Sequence, residues 1–235
     1  MPWRVHDVTV RIDPRVRHLV PHDSEAALFR FIQQRVDPGA VVLDVGSFLG
    51  VYAVLEAVRA EPAGRVIAFE PTAWSASVAR RHIGFNTERT APVTLIEAAV
   101  GDAATRTTFY EYDQPYVNSL EAAVDVDGQP TSRFVDVVTI DDVCDRLNIT
   151  PTFVRMDVQG AEFHALRGAR HTIQRAGQRL TIVAEMHPQC WPSFGVQPGD
   201  ARAIIASLGL TVEPLEPGAD LFGRDRHIVL KAAVA

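Results

Sequence analysis

Two rhythms alternate along the chain from residue 24 onward. Short β-branched runs trade places with longer stretches whose apolar residues stand three and four apart. Ala27, Leu28, Phe31, Ile32 and Val36 share one face of a helix that Ser24 is placed to cap and Pro38-Gly39 ends. Residues 41–46 (VVLDVG) form the continuous apolar run that a buried parallel strand requires. The pattern then predicts a helix over 50–60, a strand over 65–70, a helix over 75–86 and a strand over 93–100. Further on it predicts a helix over 140–147, a strand over 153–157 and one helix over 161–176. A strand over 180–186, a helix over 199–208 and strands over 211–215 and 227–230 complete the series. Between 101 and 139 the alternation breaks, and 107–112 and 134–139 read as short strands around a polar loop.

Strands and helices of these lengths imply right-handed βαβ units in an α/β, doubly wound, mostly parallel seven-stranded sheet covered on both faces. The last two strands are too close for an intervening helix, so they are expected as an antiparallel C-terminal hairpin. We expect a single domain over 1–235, with an N-terminal extension at 1–23 and an insertion at 101–139 covering the active site.

Composition narrows the partners. The net charge is −6 and no basic run occurs, which argues against a nucleic-acid face. Two cysteines, Cys144 and Cys190, lack metal-ligand spacing, and although Asp157 and Glu185 could bind a metal, the sequence shows no defined ligand set and no metal site is expected. Charges at Arg4, Asp7, Arg11, Asp13, Arg15 and Arg17 interrupt the first twenty residues. No later stretch is long and apolar enough for a membrane, so a cytoplasmic protein is expected. The first twenty residues are also a candidate dimerisation arm.

In a doubly wound sheet, ligands bind outside the carboxyl ends of the strands. After the first strand, Asp44-Val45-Gly46-Ser47-Phe48-Leu49-Gly50 leads into a helix, and Gly46 and Gly50 allow a tight turn close to a ligand. The loop lacks the G-x-G-x-x-G spacing of nicotinamide enzymes. Glu70 ends the second strand about twenty residues beyond the glycine turn, where an acid can accept from both ribose hydroxyls. Gly101-Asp102 follows the third strand, where Asp102 could meet an exocyclic amine or simply form a turn. Asp157 ends the fourth strand, Glu185 the fifth, and His187 follows directly.

The segments Leu43-Asp44-Val45-Gly46 with Gly50, Ala68-Phe69-Glu70-Pro71, 98–102, Asp157-Val158-Gln159-Gly160-Ala161-Glu162 and Glu185-Met186-His187-Pro188 resemble the FkbM-type methyltransferases, in that order over residues 24–190. The resemblance implies a class I methyltransferase (Rossmann-like) fold, and the antiparallel end of the sheet fits that variant. It also implies S-adenosyl-L-methionine as cofactor and O-methylation of a hydroxyl on a sugar or a natural product such as a polyketide. Carried onto this chain, Asp44, Gly46, Ser47, Gly50, Glu70, Asp102, Asn118 and Asp157 are the candidate cofactor residues. Asn118 enters through Asn118-Ser119-Leu120, which is similar to a family segment. The chain departs from the family at Ser47-Phe48, where Ala-Asn is usual, and at Gln159, where Glu is usual.

An alcohol must lose its proton as it attacks a methyl donor. His187 is the candidate base because histidine titrates nearest neutrality, with Glu185 or Asp157 orienting it or holding the acceptor. Phe109, Tyr110, Tyr112 and Tyr116, like Trp191 and Phe194, either line an acceptor pocket or pack their loops. Two rivals remain: a nicotinamide oxidoreductase, disfavoured by the missing glycine spacing, and a cofactor-binding protein that acts through protein contacts without catalysis.

Overall fold

The computed structural model describes residues 1–5, 8–20, 25–112, 118–121, 129–223 and 226–233. Ser24 and Tyr116 lie outside these. The chain forms two compact units, Met1–Glu97 and Ala98–Ala235.

In the first unit, β1 (Pro2–Val5) and β2 (Val8–Arg11) form an antiparallel hairpin, followed by a 3-10 turn at Pro14–Leu19. There follow α1 (Ala26–Arg35), β3 (Val41–Val45), α2 (Val51–Ala60), β4 (Arg65–Phe69), α3 (Ala73–Phe85) and β5 (Val93–Ile96). Strands β3, β4 and β5 run parallel, with Asp44 beside Ala68 and Phe69 beside Ile96. Helix α2 buries most of its circumference, which suits its nearly unbroken apolar sequence.

The second unit opens with β6 (Ala99–Val100), β7 (Thr105–Glu111) and β8 (Thr131–Val138), a separate three-stranded sheet in the order β6-β8-β7. It continues with α4 (Ile140–Leu147), β9 (Phe153–Met156), α5 (Glu162–Arg167), α6 (Arg170–Ala176), β10 (Thr181–Met186), α7 (Ala201–Ser207), β11 (Leu210–Pro214) and β12 (Arg226–Ala232). The larger sheet has seven strands in the order β11-β12-β10-β9-β3-β4-β5. β9 and β10 are parallel, and β12 is antiparallel to both β10 and β11. The architecture is thus the expected doubly wound sheet with an antiparallel C-terminal end. No helix among the described residues is long and apolar enough to cross a membrane.

Three local expectations change. The strand expected over 93–100 ends at Ile96, and Ala99 and Val100 join the small sheet instead. The Ala99 side chain buries with Phe109, Val135 and Val137, so the small sheet has an apolar core of its own. The helix expected over 161–176 is broken at Gly168-Ala169. Asp141 causes the restart: its carboxylate accepts the backbone N–H of His171 at 3.0 Å and of Thr172 at 2.7 Å, capping α6. The helix expected over 199–208 begins with a 3-10 turn at Pro198–Asp200 before α7.

Gly168 has a steric reason to be glycine. A Cβ there would lie 2.0 Å from the carbonyl oxygen of Gly101, and backbone has little freedom to retreat. Gly168→Ala is therefore expected to lose about 3 kcal/mol, the upper range for overpacking. Thermal unfolding should fall by roughly 6–12 °C for a chain of this size. Calorimetry of the two proteins measures it.

Candidate functional site

The first unit builds a glycine loop at the end of β3. Asp44 is fully buried, and Gly46 and Gly50 adopt φ of +83° and +73°. The N–H groups of Gly46 and Ser47 both donate to the carbonyl of Phe69, at 3.1 and 2.8 Å, which pins the loop to the end of β4. Phe48 stands at φ 49°, a left-handed conformation costly for a bulky residue. Its N–H donates to Oε2 of Glu70 at 2.8 Å. The unusual phenyl side chain thus leaves the loop's main contact intact, since any residue supplies that N–H.

Glu70 is buried, and its Oε1 accepts from the N–H and the hydroxyl of Thr72, at 2.9 and 2.5 Å. Burial pushes its carboxyl up to about 7, against these hydrogen bonds, with the charge of Asp44 adding to the rise. A carboxylate has about four acceptor positions, and three are used, so capacity for a hydroxyl remains. The Ser47 hydroxyl is buried with no hydrogen-bond partner among the described residues. An orphaned hydroxyl beside a glycine turn and an acid with spare acceptor capacity suits a ligand bearing hydroxyl groups.

The second unit gathers its chemistry around Glu162. This carboxylate has no exposed surface. Its Oε1 accepts from Gly160 N–H at 2.8 Å and lies 2.7 Å from Nδ1 of His187, and its Oε2 accepts from Nε1 of Trp191 at 2.8 Å. With Nδ1 donating to Glu162, Nε2 of His187 faces Asp157, 3.9 Å from its Oδ1. Burial alone would lower the His187 imidazole. The Glu162 hydrogen bond and the charges of Glu162, Asp157 and Glu185 outweigh that and raise it to about 9.

Glu162 therefore orients His187 through Nδ1, an acid additional to the Glu185 and Asp157 expected to orient it or hold the acceptor. Its place in the Asp157-to-Glu162 motif was visible, but nothing local marks a helix-start glutamate as fully buried. Asp157 is held from two sides, by Arg155 Nη2 at 3.0 Å and by Gln159 Nε2 at 3.1 Å. The family's usual Glu at 159 could not donate in ionised form, so Gln159 supplies a hydrogen bond that its counterpart lacks. Glu185 lies beside His227, 3.7 Å from its Nε2. Burial, followed by the charge of Arg155, drives His227 down to about 4. Asp157, Glu185 and His187 lie close enough together for one ligand atom from each to fall within 4.8 Å of the others.

The remaining candidates are more distributed. Asp102 is half exposed and its carboxylate meets Nδ1 of His164 at 2.9 Å, while Nε2 of His164 meets the carbonyl of Phe194 at 3.0 Å. Asn118 uses its side-chain oxygen to accept from Tyr112 N–H at 2.8 Å, and the neighbouring Ser119 hydroxyl donates to the carbonyl of Gln159 at 2.9 Å. Two aromatics turn out to be packing residues. Trp191 is fully buried edge-on to Phe163 and Phe222, and Phe109 lies in the core of the small sheet.

A family model described as the methyltransferase FkbM domain matches residues 41–211. The chain belongs to this family. Its cofactor is S-adenosylmethionine. No curated protein matches the chain in sequence. Among solved structures, a putative rRNA-methylase from Clostridium thermocellum is similar with a TM-score of 0.56 and 11% identity, over 92% of this chain and 98% of that one. A precorrin-6y C5,15-methyltransferase from Geobacter metallireducens gives 0.53 and 12%, over 96% and 94%. A SAM-dependent O-methyltransferase from Thermotoga maritima gives 0.51 and 11%, over 90% and 66%. At such identities the likeness concerns the fold alone.

Removing Glu162 leaves a buried imidazole without its anion, so Glu162→Ala should cost about 3–5 kcal/mol of stability. A conservative variant isolates the charge. Because folding raises His187 from 6.5 to about 9, the folded protein binds the extra proton more tightly. The stabilisation is complete below pH 6.5 and disappears as pH rises through about 9. Urea denaturation at a series of pH values should show wild type losing its advantage over Glu162→Gln across that window.

Proposed function

We propose that this protein transfers a methyl group from S-adenosylmethionine to a hydroxyl oxygen of a small molecule, such as a sugar or a polyketide-like natural product. The observation that carries this reading is the Glu162–His187 pair, with Nε2 of the imidazole turned toward Asp157. A weakly acidic alcohol needs a positioned base, and a histidine locked by a buried carboxylate is a strong one. When bound, the sulfonium cofactor supplies a methyl group already activated for displacement.

In the first unit, Glu70 would accept from the ribose hydroxyls, and the turn of Asp44, Gly46, Ser47 and Gly50 would receive the rest of the cofactor's polar edge. In the second, Asp102, held by His164, would take the exocyclic amine of adenine, with Asn118 and Asp157 as further polar contacts. His187 would draw the proton from the acceptor hydroxyl while Glu162 stabilises the resulting imidazolium. Asp157 and Glu185 would hold the acceptor, keeping its oxygen aligned for attack, and such placement can supply roughly 7–11 kcal/mol at its upper limit. A small acceptor is favoured over a nucleic acid because the net charge is −6 and no basic run occurs.

Titration calorimetry with S-adenosylhomocysteine tests the cofactor half. Glu70→Ala should weaken binding by about 2 kcal/mol, the worth of a charged acceptor, with the fold intact. Wild-type affinity should also rise with pH through about 7, as Glu70 ionises. Unchanged affinity in the variant would remove Glu70 from the site.

Radiolabelled methyl transfer to a panel of hydroxylated sugars and polyketides tests the chemistry. Turnover should climb with pH toward about 9, where His187 frees its Nε2. His187→Ala should lower the rate about 10²–10⁴-fold and leave S-adenosylhomocysteine binding in place. Cofactor binding with no transfer to any acceptor would favour a non-catalytic binding protein instead.

A further inference from the structure

One imidazole stands between the N-terminal segment and the glycine loop. His82, on α3, is 1% exposed, with Nδ1 2.8 Å from the carbonyl oxygen of Leu49 and Nε2 2.9 Å from the backbone nitrogen of Asp13. A carbonyl only accepts and a backbone N–H only donates. These partners therefore fix the ring as neutral, with its proton on Nδ1. Burial acts in the same direction by lowering the His82 pKa, which keeps the second proton off. His82 lies outside the family-like motifs and takes no part in the proposed chemistry.

Both neighbours of the ring are themselves fixed. Leu49 is buried and directly precedes Gly50, which rests on α3 as well: a Cβ at Gly50 would lie 2.8 Å from that of Ala79. Ala79 and His82 are three residues apart and so share one face of the helix. Two consecutive loop residues are thus seated on that face, one by steric contact and one by a hydrogen bond. On the other side, the Asp13 carboxylate accepts from Arg15 N, Nε and Nη2 at 3.0, 3.0 and 2.6 Å, and from Arg81 Nε at 3.1 Å. The side chain of Asn86 then pairs with both backbone groups of Arg11 at 2.7 and 2.8 Å, and its Nδ2 also reaches the carbonyl of His82 at 2.7 Å.

We propose that His82 is a positioning residue for the cofactor loop, holding the Leu49 carbonyl so that the turn 46–50 keeps the Phe48 N–H on Glu70, with Asp13 of the N-terminal segment fixing the ring's orientation. The proposal rests on the reading that this loop receives S-adenosylmethionine. A histidine that merely fills the core would contribute stability and nothing else. A positioning histidine contributes order to the loop, and that difference can be measured.

Two conservative variants separate its two bonds. In His82→Asn the amide nitrogen reaches the place of Nδ1 and keeps the bond to Leu49. In His82→Gln the amide oxygen reaches the place of Nε2, keeps Asp13 and releases Leu49. Hydrogen exchange of the peptide covering residues 47–51 should speed up about tenfold in His82→Gln, with the affinity for S-adenosylhomocysteine falling by a similar factor, the worth of one buried hydrogen bond. His82→Asn should stay within about threefold of wild type on both measures. Equal loop exchange and equal affinity in the two variants, whatever their melting temperatures, would overturn the assignment. Wild-type protein that fails to bind S-adenosylhomocysteine would overturn the cofactor reading, and loop exchange would still decide whether His82 holds the turn.

Discussion

Glu162 has no exposed surface, and a carboxylate so placed is tolerable only because three N–H groups converge on it, from Gly160, His187 and Trp191. Those donors come from the turn after β9, the segment after β10 and the 3-10 turn beyond it. One charge therefore fixes three chain segments to each other. Gly160, at φ +106°, is required by the same arrangement, since a Cβ there would fall 2.6 Å from that of Cys190 and 2.7 Å from the Phe194 ring. The imidazole aimed at Asp157 follows from that constraint. His187 can point one way only, because its other nitrogen is committed.

The first unit solves a similar problem with a different device. Glu70 is buried too, yet its partners are the N–H of Phe48 and the two donors of Thr72, all within the loops that frame it. All three donors are neutral groups, and burial lifts this acid to about 7. A ligand offering hydroxyl groups would relieve that burial cost. The two acids differ in their partners: Glu162 faces an imidazole able to carry positive charge, whereas Glu70 faces neutral donors only.

The departures from the family pattern acquire physical meaning here. Phe48 contributes its backbone N–H to Glu70, and its strained φ of 49° suits the sharp turn. Gln159, at φ 49° as well, converts what would be a second negative charge beside Asp157 into a donor toward it. Neither change removes a group on which the proposed chemistry depends.

Much of the architecture was legible along the chain. The strand runs at 41–46, 65–70 and 153–157, the helix at 140–147 and the acids ending the strands all follow from local spacing, which sets which face a residue occupies. The C-terminal antiparallel end was legible as well, but not that β12 lies between β10 and β11. The break at Gly168 depends on Gly101 and Asp141, and the departure of Ala99 and Val100 depends on their pairing with Val137 and Val138. Glu162 finds His187 across twenty-five residues and Asp13 finds His82 across sixty-nine. Local periodicity determines the elements and what stands at their ends. Burial and the choice of hydrogen-bond partner arise only when distant segments exclude water from the same space, and the tertiary structure alone decides them.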